Sequence, residues 1–121
     1  MAPNAAGSGS LFLLTNAYYD GSWKYKTTNY ATSIALAPTG YIYLRTAPSG
    51  IADAALTWTD ALTLDSSGNV GINDTTPSYR LDVAGDIRAT GDIYVDGGMV
   101  DFGTNTITEG TTMQFTGSKE I

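Results

Sequence analysis

The chain has 121 residues, 42% hydrophobic and 15% charged, with no cysteine and no histidine. That suffices for one folded domain, or a small module plus a stalk, and it removes disulfides, the usual general base and the commonest metal-binding ring. The formal net charge is −6, carried by residues 61–121, where Arg80, Arg88 and Lys119 face nine acids; with no basic stripe, a nucleic-acid partner is not expected.

Residues 1–10, MAPNAAGSGS, hold no basic residue ahead of an apolar stretch. They read as a flexible leader or attachment arm, not as a secretory signal. Leu11 to Tyr19 reads as a strand, Asp20-Gly21-Ser22 as a tight turn, and Trp23 to Lys26 as the returning strand of a hairpin. The run Leu11 to Leu14 is far too short for a membrane span, so no membrane insertion is expected. Ser33 to Ala37 is the next strand, ended by Pro38-Thr39-Gly40. Tyr41 to Arg45 follows, with Ile42 and Leu44 on one face and Tyr41, Tyr43 and Arg45 on the other. Ala47-Pro48-Ser49-Gly50 is expected to break that strand. Ala52 to Ala55 has helix-friendly composition but is too short to stand as a helix, and Leu56 to Thr59 resumes the strand pattern. Residues 11–60 are therefore expected to form a small β-sandwich-like module.

From Ala61 the elements shorten. Leu62 and Leu64, Val70 and Ile72, Leu81 and Val83, Ile87 and Ala89, Ile93 and Val95, then Met113 and Phe115 alternate with polar neighbours. Gly68-Asn69-Val70, Gly85-Asp86-Ile87 and Gly91-Asp92-Ile93 repeat one turn-plus-strand unit, and glycines recur at 85, 91, 97 and 103. Each ribbon carries one thin apolar row, too narrow for a core of its own. Such rows find partners in copies of the same chain, and a period of six suits an interlaced, three-chain β-rod. Residues 61–121 are expected to form this trimeric stalk, with Val70, Ile72, Leu81, Val83, Ile87 and Ile93 inside it. Each would gain roughly 1.5–3 kcal/mol on burial. Contacts made only between chains would also make folding slow. The fold class expected is all-β: a sandwich-like module followed by an interlaced trimeric β-rod or β-prism.

Aromatic residues are concentrated early. Tyr41 and Tyr43 lie opposite an aliphatic face, and Tyr18, Tyr19 and Trp23 flank the Asp20-Gly21 turn. These five are the candidates for a receptor-binding platform that stacks on sugar rings; packing and cross-strand pairing within a sandwich is the competing account. The acids are mostly turn aspartates, a poor basis for paired-carboxylate glycoside hydrolysis, so no enzyme activity is expected. Asp65-Ser66-Ser67-Gly68-Asn69 lacks the alternating acids of a calcium loop and reads as an Asx-turn. No metal or cofactor is expected.

The stretch LTLDSSGNVGINDTTPSYRLDVAGDIRATGDIY, preceded by NAYYDGSWKY, YLRTAPSG and ALTWTDALTLD, resembles a segment of tail-fibre and tailspike proteins of tailed bacteriophages. There it typically precedes a C-terminal intramolecular chaperone. The resemblance covers about residues 16–98. It implies a homotrimer with strands wound about a common axis, located in the virion tail fibre, joined to other tail or baseplate proteins and contacting host-surface glycans. Two departures stand out: Asn73-Asp74 replaces the usual Gly-Thr, and the run to Ile121 leaves no room for the chaperone. The expected function is a structural and adhesive fibre component. A non-adhesive virion connector or decoration protein, and a monomeric carbohydrate-binding β-sandwich, are the alternatives.

Overall fold

The computed structural model describes residues 9–98, 100, 101 and 103, and those residues are β-strands, turns and loops without a helix. The chain divides into two units, one ending at Arg88 and one beginning at Ala89.

The first unit holds eight strands: β1 (Leu11–Thr15), β2 (Ala17–Tyr19), β3 (Trp23–Tyr25), β4 (Asn29–Leu36), β5 (Ile42–Gly50), β6 (Thr59–Leu64), β7 (Val70–Ile72) and β8 (Leu81–Val83). Six of them make one mixed sheet in the order β1-β4-β5-β6-β7-β8, and β2 and β3 form a separate two-stranded sheet. All pairings are antiparallel except β7 with β8. The large sheet runs without interruption across residue 60, from the aromatic-rich half into the shorter ribbons.

Sequence alternation places most of these strands, and the departures have local causes. The expected strand Leu11 to Tyr19 is two strands, because Asn16 takes a left-handed φ of 53° and swings the chain out of the sheet. Its side chain then anchors the next loop. Oδ1 accepts from the amide and hydroxyl of Thr27, and Nδ2 donates to the carbonyls of Thr27 and Tyr30. Asparagine suits both tasks, tolerating left-handed backbone while bonding nearby main chain.

The expected break at Ala47-Pro48-Ser49-Gly50 is corrected: β5 continues through it. Proline removes a ladder donor, so it is confined to edges and bulges. Here the pairing with β6 has already ended at Thr46, and the register with β4 slips between Asn29 and Ala31. Gly50 closes the strand under the ring of Tyr25, where a Cβ would collide with the ring. The Tyr25 hydroxyl donates to the Pro48 carbonyl at 2.6 Å. Leu56 to Trp58 lie outside any strand, and only Thr59 of that expected run joins β6.

Packing over one face of the sheet, the β2–β3 hairpin closes a small core of Ala17, Tyr25, Ala31, Ala47 and Leu56, with Trp23 and Trp58 against it. Four of the six buried hydrophobic residues in the described chain are alanines. Apart from Leu56, the bulky aliphatic side chains of the described residues are elsewhere.

β7 and β8 are parallel despite a short connection. Parallel neighbours ordinarily need a dozen or more linking residues, so the chain must double back sharply after β7. Gly71 permits this, since a Cβ there would strike the Asp74 carbonyl.

In the second unit the described residues lie outside strands and are exposed. The Tyr94 hydroxyl donates to Asp92 at 3.3 Å. The pairs Ile87 with Ala89 and Ile93 with Val95, expected as strands, are not strands in this chain. Met113 and Phe115 lie outside the described residues.

Candidate functional site

Strand alternation gives the large sheet two chemically distinct faces. Residues paired directly across strands point to the same side, so the register defines each row. One row reads Leu13, Ile34, Leu44, Leu62, Ile72, Val83. The next reads Leu11, Leu36, Ile42, Leu64, Val70, Leu81. A third, shorter row is Thr15, Thr32, Thr46 and Thr59, with the first two hydroxyls bonded at 2.7 Å. Twelve aliphatic side chains thus cover this face across all six strands. Leu13 is 61% exposed, Leu81 59% and Leu44 40%, and none of the twelve is fully buried. We call this the aliphatic face.

The hairpin face is aromatic and polar. Tyr41 and Tyr43 stack with centroids 5.7 Å apart and planes 16° from parallel. The Arg45 guanidinium lies 4.4 Å from the Tyr43 ring centroid and pairs with Asp60 at 2.5 Å. Partial burial raises the Tyr43 phenol above its ordinary value, while nearby Arg45 opposes the shift. A small hollow of about 80 Å³ opens beside Tyr43, Arg45, Phe12 and Ser10.

A second aromatic group surrounds Trp23, which meets Phe12, Tyr19 and Trp58 edge-on at 5.2, 5.3 and 5.9 Å. Tyr19 and Trp23 are direct cross-strand partners. Tyr18 points to the other side of its strand and donates to Asp53 at 2.7 Å, a bond that raises its phenol pKa. Lys24 bonds Asp20 at 2.7 Å, raising the ammonium and lowering the carboxyl. The five expected receptor-binding aromatics therefore fall into three settings. Tyr41 and Tyr43 form a stack, Tyr19 and Trp23 belong to an aromatic cluster, and Tyr18 is tied to an acid. Sequence reasoning did not single out Phe12, although the alternation of Leu11-Phe12-Leu13 already sets Phe12 opposite the leucines.

The Asp65 to Asn69 loop is bonded within itself. Asp65 Oδ1 accepts the amides of Ser67 and Asn69 at 2.8 and 2.9 Å, and Asn69 in turn donates to Pro77. These amides, Asn69's above all, hold the Asp65 carboxyl below its usual range. It is an Asx-turn that starts β7.

Of the residues expected inside a stalk, Val70, Ile72, Leu81 and Val83 all lie on the aliphatic face, joined there by eight residues from upstream strands. Ile87 and Ile93 are 69% and 71% exposed outside any strand.

Compared with models of known protein families the chain matches none, and no curated protein matches it.

Proposed function

We propose that this chain is a structural and adhesive subunit of a bacteriophage tail fibre: a homotrimer whose strands form a β-prism or β-rod and which presents aromatic surface to host glycans. The observation that carries the reading is the inverted distribution of side chains. Four of the six buried hydrophobic residues among those described are alanines, while twelve larger aliphatics stand, none fully buried, on one sheet face. A lone chain built this way leaves part of the apolar surface of that face in water, whereas a subunit of a closed assembly buries it. The Gly-Asn-Val and Tyr-Arg-Leu-Asp-Val units that resemble fibre proteins supply β7 and β8 of that same sheet.

Adhesion belongs to the opposite face. Stacked Tyr41 and Tyr43, flanked by Arg45 and Asp60, offer a flat ring surface beside charged hydrogen-bonding groups, the combination that suits a sugar ring. Three copies would turn weak single contacts into durable attachment by avidity. Glycan-array binding of the intact assembly, with Tyr41→Ala and Trp23→Ala alongside, tests this. Binding that falls with Tyr41→Ala supports the stack as the platform, and loss only with Trp23→Ala moves the platform to the hairpin. No binding to any glycan by a stable assembly removes adhesion and leaves a connector.

A further inference from the structure

We infer that the aliphatic face of the six-stranded sheet is the contact between copies of this chain, so that the assembly core reaches back to β1 and includes the aromatic-bearing strands as well as the short ribbons. The inference takes from the fibre reading only the number three. The surface and its occupant follow from four features of the chain.

Area comes first. Six strands about 4.8 Å apart make a face about 29 Å wide, and three rows of side chains extend it about 20 Å along the strands. That is roughly 580 Å² in projection, near the upper end of exposed patches on monomers and approaching the roughly 800 Å² each partner gives a standard interface once side-chain relief is counted.

Composition is the second feature. The three rows hold aliphatics and threonines and not one charged residue. Nothing on the face selects a charged peptide, a polyanion or a sugar. Arg45, Asp60 and Asp82 alternate onto the other side of their strands, so the charges that these six strands carry stay outside a face-to-face arrangement.

Dependence is the third. The internal core of the described residues is small, Ala17, Tyr25, Ala31, Ala47 and Leu56 with Trp23 and Trp58 against it, so a partner covering the aliphatic face adds to a marginal stability. A second copy is the one partner that synthesis always supplies.

Shape is the fourth. The extra residue Ala61, where β6 slips against β5, bends the sheet, and a groove of about 300 Å³ runs there beside Leu13, Ile34, Leu44 and Ala61, with Thr15, Thr32, Thr46, Ser33 and Arg45 completing its lining. A concave surface of aliphatics and threonines receives protruding side chains from the same face of a neighbour.

The chain has no cysteine, so single-cysteine variants read this surface cleanly. Leu44→Cys and the milder Thr32→Cys probe the face, and Ile51→Cys, at a position 71% exposed, is the reference. Thiol labelling of the purified full chain is measured together with its mass in solution. The expected result is a multi-chain mass, with Leu44→Cys and Thr32→Cys labelling roughly 100-fold slower than Ile51→Cys and the gap closing in denaturant. A multi-chain mass with all three labelling alike overturns the inference and leaves the fibre reading standing, assembled through another surface. A single-chain mass with all three reactive overturns both. A single-chain mass with the face protected also overturns the inference, because the chain then covers itself.

Discussion

Arg45 and Asp60 meet across β5 and β6, Nε to Oδ1 at 2.5 Å, at the point where the register between those strands slips. The slip leaves Ala61 as an extra residue and rotates Thr59 back onto the aliphatic face, in line with Thr46. The ion pair pins this irregularity from the other side. It also fixes the guanidinium over Tyr43, so one pair ties sheet curvature to the aromatic stack.

Asp60→Ala is therefore expected to destabilise the fold by about 1–3 kcal/mol, because both groups are partly shielded and Arg45 would lose its acceptor. Asp60→Asn, which keeps an acceptor, should cost less. Urea unfolding followed by tryptophan fluorescence reads both. Equal stability of all three proteins would mean that the bulge is held by the backbone alone.

Thr63 gives a prediction of opposite sign. Its side chain is fully buried, at 0% exposure, and its hydroxyl has no hydrogen-bond partner among the described residues. Burying an unsatisfied hydroxyl costs roughly 1–3 kcal/mol, and valine has nearly the same shape. Thr63→Val should raise the unfolding midpoint. A lowered midpoint would show that the hydroxyl is bonded in the assembled protein.

Acid should weaken the chain through the turn that launches β7. A carboxyl whose folded pKa is depressed contributes stability that is present above its unfolded value and lost as pH falls through the folded one. Asp65 is lowered by the Asn69 and Ser67 amides, and Asp20 by Lys24. The urea midpoint should therefore fall as pH drops below about 4, the ordinary carboxylate value. Asp65→Asn should flatten that fall. An unchanged slope in the variant would assign the acid sensitivity elsewhere.

Much of this was legible in the residues. Period-two alternation located β7 and β8 and split Ile42 and Leu44 from Tyr41 and Tyr43, and the Asp-Ser-Ser-Gly-Asn run marked the Asx-turn at Asp65. Pairing order was not legible, because alternation says which residues share a side of one strand but not which strands are neighbours. That is why four residues of the aliphatic face are expected inside a stalk while Leu13, Ile34 and Leu44, on the same face, are expected in a separate module. Two misplacements have specific local causes. Asn16 hid a turn inside a hydrophobic run, and Pro48 looked like a stop because the end of the β6 pairing cannot be seen from one strand. Ile87 and Ile93 carry the same alternation as the paired ribbons but lie in no strand of the single chain.

The most direct test of the account is the mass of the native protein in solution, by sedimentation equilibrium at micromolar concentration. An assembly about one axis predicts three times the 12.7 kDa chain, held without disulfides and dissociated by heating in detergent. A stable, folded species of a single chain's mass would contradict it, because the aliphatic face would then have no second copy against it.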